Sequence, residues 1–205
     1  MTVHALLLRR ETTTGGLLLA SVLSSACFGA AVGSYTGRWQ ILYDAVKMPV
    51  YLLGTLAISF AAMHLAAART LRARETFEVS LETVALNAVV LGALAPLVAL
   101  MSLSLPFSPG LRSPESQRGY RLLILLLTGS VAAGGVTGVA RLRSRLPIRL
   151  TAVWIVLYQF VGAQMAWLLK PWVSFTGTDD RFLPLRDNLR GNFYESVIRT
   201  VLSFF

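Results

Sequence analysis

The stretch LETVALNAVVLGALAPLVALMSLSL, residues 81–105, decides how this chain is read. Its one ionisable residue, Glu82, sits at the very start, and everything after it is apolar, small or a lone amide, Asn87. A helix rising about 1.5 Å per residue needs roughly 20 such residues to cross the hydrocarbon of a bilayer. This run is long enough, with Pro96 expected to kink it. Four more runs of the same kind lie on either side, at about 16–33, 49–68, 121–140 and 150–169. The composition agrees: 55% of the 205 residues are hydrophobic, 14% are charged and the mean hydropathy is +0.62, whereas soluble domains carry about a quarter charged residues. The expected fold is all-α, a polytopic membrane helix bundle of about five transmembrane helices occupying residues 1–170. A tail, 171–205, follows it. No soluble domain, long repeat or low-complexity tract is evident.

The segments between the runs set the boundaries. Arg9 and Arg10, an apolar stretch and SSAC (24–27) resemble a signal peptide. Ser24 stands three places before Cys27, where a lipoprotein signal carries Leu, and further spans follow, so this segment is read as a first membrane helix. GRWQILYDAVKMP (37–49), with Trp39, Tyr43, Asp44 and Lys47, reads as an interfacial helix at headgroup depth. Pro49 suits the first turn of the second span. RTLRARETFE (69–78) is a charged loop or helical extension, 104–120 a proline-rich loop, and RLRSRLPIR (141–149) a short basic turn. With the N-terminus inside, nine basic residues fall on inner segments (Arg9, Arg10, Arg69, Arg72, Arg74, Arg141, Arg143, Arg145, Arg149) and five on outer loops (Arg38, Lys47, Arg112, Arg118, Arg121). That bias predicts a cytoplasmic N-terminus and a periplasmic C-terminus in a bacterial inner membrane.

A net charge of +9 and a pI near 10.6 would point to nucleic acid in a soluble protein. Here the arginines lie between apolar runs, where membrane topology places them, and no nucleic-acid partner is expected. Cys27 is the single cysteine, so neither an intrachain disulfide nor a cysteine zinc site is available. His4 and His64 lie on separate segments, and no metal site is expected.

Between helices in lipid the hydrophobic effect supplies no attraction, and close backbone approach does. Ser21, Ser25, Gly29 and Gly33 recur every four residues in the first span, and Ser130, Gly134 and Gly138 in the fourth. In the fifth, Ala152, Gln159, Ala163 and Ala166 fall on one face at about 100° per residue. These are three expected packing seams, either within the chain or toward another subunit. Asn87, Gln159 and Gln164 are expected to form interhelical hydrogen bonds, and His64 to cap or to sit at the interface.

Asp44 and Glu82 are placed at span edges and no carboxylate lies mid-span, which disfavours an ion- or proton-coupled carrier. Neither HExxH nor GxSxG occurs. Ser130 within TGS has no partner beyond His64, and Asp179 with Asp180 reads as a turn pair. No catalytic residue, metal or cofactor is assigned; a bound lipid or pigment stays open.

The chain ends RGNFYESVIRTVLSFF (190–205). Phe193, Tyr194, Val197, Ile198, Val201, Leu202, Phe204 and Phe205 share one half of a helical wheel, and Asn192 with Glu195 forms a capping box. This predicts an amphipathic helix over 192–205, docked on the bundle, the membrane or a partner. The linker before it, with Trp172, Phe175, Phe182 and Leu185, should drape over the outer ends of the spans.

QMAWLLKPW (164–172), FLPLR (182–186), GNFYESV (191–197) and VKMPVYLL (46–53) together resemble a family of uncharacterised bacterial five-helix inner-membrane proteins. The resemblance is strongest over about the last forty residues. It implies the same five-helix architecture and transfers no activity. The resulting expectation is a non-enzymatic accessory or structural subunit whose partners are other integral membrane proteins and membrane lipids. The alternatives are a small-solute transporter or channel lined by Asn87, Gln159, Gln164 and His64, and a lipid-acting enzyme at the membrane surface using Asp179, Asp180 or Glu195.

Overall fold

A computed structural model describes residues 13–37, 39–67, 72–105, 114–169 and Phe182. The expected tail helix 192–205, and with it Trp172, Phe193, Tyr194, Val197, Ile198, Val201 and Phe205, lies outside these residues. So do Asp179, Asp180 and Glu195.

Five α-helices make up the described chain: α1 Thr14–Gly33, α2 Gln40–Ala67, α3 Ala73–Ser104, α4 Pro114–Arg143 and α5 Ile148–Leu169. All five are long and apolar enough to cross a membrane, and no strand occurs among the described residues. The protein is an all-helical, multi-pass membrane bundle. Its outer surface is apolar on every helix: Leu19, Leu42, Leu97, Leu125 and Val156 are all exposed. That pattern inverts a soluble protein's and fits a lipid solvent.

Most helices run further than their hydropathy predicts. α1 begins at an N-cap, Thr13, whose hydroxyl accepts from the Gly16 N–H at 3.2 Å. The charged segment before residue 81 is a helical extension. α3 starts at Ala73, and the Glu75 carboxylate reaches back to the Arg72 N–H at 3.4 Å. α4 starts on Pro114, which needs no N–H partner in a first turn, so 114–120 is helix where a loop was expected.

The largest departure is in α2. Residues 40–49 do not form a separate headgroup-level helix; they are the first turns of one 28-residue helix that runs through Pro49. Pro49 has no N–H to return to the Ala45 carbonyl, yet surrounding helices tolerate such breaks in membrane proteins. Packing draws the segment into the bundle: Asp44, Lys47 and Met48 are buried, with Asp44 and Met48 lying against Gly29 of α1.

α1 lies between α2 and α3 and packs extensively on both, while α4 packs on the far side of α3. α5 returns to α2 and only grazes α4, although just Ser144–Pro147 separate those two helices. The main core joins α1, α2, α3 and α4 around Phe28, Met48, Leu81, Val98 and Leu123. A second, smaller cluster of Met63, Leu142, Leu146 and Trp154 holds the α4–α5 turn against α2.

The two glycine ladders are the close approaches. On α1, a methyl at Gly29 would run into the Asp44 carbonyl, and one at Gly33 would lie 2.5 Å from the Gln40 oxygen and 2.8 Å from the Ile41 Cα. On α4, a methyl at Gly134 would strike the Asn87 side-chain oxygen, and one at Gly138 would meet Thr83 at 3.2 Å. Both ladders therefore join helices within this chain. Ser21, Ser25 and Ser130 are buried in the same seams and donate to carbonyls of their own helix: Leu17 at 2.8 Å, Ser21 at 2.5 Å and Leu126 at 2.8 Å. Their hydroxyls need no partner across the seam, so their contribution there is small size.

The third seam, unlike the other two, does not join helices within this chain. α5 buries Thr151, Trp154 and Gly162, while Ala152 and Gln159 are exposed and Ala163 and Ala166 only half-buried. The packed face is turned about 100° from the alanine face at the helical repeat. Here each helix supplies one glycine. Met165 packs on Gly54, and Gly162 admits the Tyr51 hydroxyl, 3.2 Å from where a methyl would stand.

Candidate functional site

Three features carry chemistry: a buried ion pair, a polar pocket inside the bundle, and a groove in its outer wall.

The ion pair belongs to the start of α2. Asp44 is fully buried and Lys47 nearly so, with the Lys47 Nζ 3.9 Å from the Asp44 Oδ1. Gln40 Nε2 donates to the same oxygen at 2.8 Å. The Asp44 backbone faces Gly29, and this close approach shuts water out. A charge so placed needs its counter-charge. Phe182 sits at the same end, edge-on to Tyr43 with ring centroids 5.4 Å apart and 5.9 Å from the Lys47 Nζ. The linker after α5 thus touches the start of α2 at this residue. Sequence reading treated Asp44 and Lys47 as headgroup residues because both are charged; their burial follows from a glycine ladder on another helix.

A second carboxylate, Glu82 near the start of α3, is tied to the far end of α4. Arg141 donates from Nε at 2.9 Å and from Nη2 at 2.7 Å, and the Arg145 Nη2 lies 3.9 Å away. The pair is partly open to solvent, which limits its worth. Glu82→Gln should lower the unfolding free energy by only about 1 kcal/mol, an effect that shrinks further in high salt. A detergent-solubilised melt at two ionic strengths checks this.

The polar pocket, about 90 Å³, lies where α2, α3, α4 and α5 converge, lined by Tyr51, Asn87, Trp154, Tyr158 and Gln159 with Gly134 and Gly138 at its wall. Asn87 and Gln159 thus meet, as a solute path would require, but Gln164 and His64 do not line it. His64 instead stacks on Phe60 at 6.0 Å, with Nδ1 buried and unpartnered among the described residues. The Asn87 Oδ1 makes no conventional hydrogen bond and rests against the Gly134 Cα, where a Cα–H is a weak donor. The Trp154 Nε1 is buried with no acceptor among the described residues, and its ring stacks on Tyr158 at 4.6 Å. The aromatic pair was missed because its spacing, four residues apart, reads as ordinary core. The volume is enough to hold water.

The groove runs along the outside between α4 and α5 and encloses about 1080 Å³. It exists because α4 leans on α3 while α5 leans on α2. Its walls include Leu127, Val131, Gly135 and Val139, and Arg143 and Ser144 close it at the turn. Gln159 lines both groove and pocket.

α4 has a further face, away from both α3 and the groove, made of Gly129, Ala133 and Thr137 at four-residue spacing. All three are exposed, and a methyl at Gly129 would meet nothing within 4 Å. The Thr137 hydroxyl is satisfied within its own helix, donating to Ala133 and Gly134 carbonyls at 2.9 and 2.8 Å. No cluster of three His, Cys, Asp or Glu side chains suited to a metal occurs among the described residues. Comparison with family models, with curated proteins and with solved structures found no match.

Proposed function

We propose that this protein is a non-enzymatic subunit of a membrane protein complex, held to its partners through α4. The supporting observation is the unpartnered Gly129–Ala133–Thr137 face. Small residues at this spacing let two helix backbones approach closely, and α4 already packs in that manner on α3 through Gly134 and Gly138. The face packs on no other helix among the described residues, and a second transmembrane helix is the surface it fits. The expected tail helix, 192–205, would add a second contact on the periplasmic side of a bacterial inner membrane. A reporter fused to Phe205 that remains cytoplasmic would reverse that orientation.

The test is native purification in mild detergent. The wild-type chain is expected to co-purify with another integral membrane protein. Gly129→Leu and Ala133→Leu should each abolish the association while shifting unfolding by no more than about 0.5 kcal/mol, since both side chains enter open space. A wild-type chain that runs as a lone monomer would refute the reading. The transporter alternative draws on one observation, the meeting of Asn87 and Gln159 at the polar pocket. Solute flux lost in Asn87→Leu and retained in Gly129→Leu would favour it.

A further inference from the structure

We infer that the groove between α4 and α5 is a binding site for one anionic phospholipid of the surrounding bilayer, with its phosphate at Arg143 and an acyl chain along Leu127, Val131, Gly135 and Val139. The inference does not rest on the subunit reading, since the groove and the Gly129 face are different sides of α4.

The shape comes first. At about 1080 Å³ the groove lies at the upper end of ordinary small-molecule sites. It follows α4 from Ile124 to Ser144, roughly 30 Å at 1.5 Å per residue, the depth of the hydrocarbon layer. A long, mostly apolar groove, open along the outside of α4, suits a chain rather than a compact solute. Gly135 widens it at its middle, where a methyl would be half enclosed and would touch nothing within 4 Å.

Charge decides which lipid. Arg141, Arg143 and Arg145, at the end of α4 and in the turn after it, are not equivalent. Arg141 is committed to Glu82 and Arg145 stands near the same carboxylate. Arg143 lines the groove mouth instead, makes no ion pair with any described residue, and has no acidic neighbour among the groove's lining residues. The Ser144 hydroxyl beside it is turned inward, donating to the Arg141 carbonyl at 2.7 Å. The mouth therefore presents one guanidinium that no described residue compensates, at the end of an apolar groove that follows a membrane-spanning helix. A phosphate is the complementary group for that planar donor fork. A zwitterionic lipid brings a choline cation to the same place and gains less.

The experiment uses the full-length protein in nanodiscs of equal phosphatidylglycerol and phosphatidylcholine, released and weighed by native mass spectrometry with the retained lipids counted. Wild type should hold one phosphatidylglycerol in preference to phosphatidylcholine by about fivefold. Arg143→Gln should erase the preference, and Arg143→Lys should keep most of it. Gly135→Leu, which fills the channel, should lose both lipids. Arg74→Gln removes an exposed arginine elsewhere, one paired with Glu78, and should change nothing. Equal retention of the two lipids by wild type, a preference that survives Arg143→Gln, or an equal loss in Arg74→Gln would each mean a general annulus and overturn the site. If a variant does not fold, the wild-type preference and the Arg143→Lys result still decide the outcome.

Discussion

Gly29→Val is expected to remove the folded bundle. The first carbon of the new side chain would be forced into the Asp44 carbonyl, with the Met48 Cβ 2.9 Å away on the other side. These are backbone and near-backbone atoms of α2, so no rotamer change makes room. α1 must move outward, and because α1 packs on both α2 and α3, the shift breaks two interfaces. Overpacking ordinarily costs about 1–3 kcal/mol, and larger losses mark sites where nothing yields. We place Gly29→Val at or above about 4 kcal/mol, and Gly29→Ala somewhat below it. The measurement is the fraction of monodisperse, cooperatively melting protein after detergent extraction. Gly129→Val is the matched control, with the same chemistry on a surface where nothing lies within 4 Å. If Gly29→Val melts like wild type, the α1–α2 seam is not as described.

Lys47→Met should be nearly as damaging, for an electrostatic reason. It leaves Asp44 buried, with the Gln40 amide still donating to its Oδ1. Breaking a buried pair from one side typically costs about 3–5 kcal/mol, because an uncompensated charge remains. Replacing both charges is expected to recover most of the loss: Asp44→Asn with Lys47→Met should sit within about 1–2 kcal/mol of wild type. Asp44→Asn alone removes the carboxylate beside the buried Lys47 ammonium and should fall between the two. A double-mutant cycle on unfolding free energy reads all three. Simple additivity of the two single changes would show that Asp44 and Lys47 do not act as a pair.

Much of the architecture was legible because lipid imposes two plain rules on sequence. Spans must be long and apolar, so the five helices stand out in hydropathy. Helices that touch need small residues, so the ladders at 21, 25, 29 and 33 and at 130, 134 and 138 stand out at a spacing of four. The reading failed where packing is built from two chain segments at once. α5 docks through Trp154 and Tyr158, bulky residues that look like filler until Gly54 and Gly162 are seen to accommodate this interface. Asp44 looked like a headgroup residue because its burial depends on Gly29, which lies on another helix. Pro49 looked like a helix start, since a linear pattern does not reveal that neighbours will carry a helix past a proline. The groove was illegible for the same reason: it is the gap left when consecutive helices choose different partners.

That choice sets the order in which the molecule can be completed. The last span finds its seat on the second, across the 80 residues from 68 to 147, while its immediate predecessor offers it little. During synthesis the first four spans can consolidate as each emerges, but the face of the second that carries Tyr51 and Thr55 stays bare until the fifth arrives. A ribosome stalled, or a chain cut, just before residue 148 would leave a four-span intermediate with an open flank, the form most exposed to quality-control proteases.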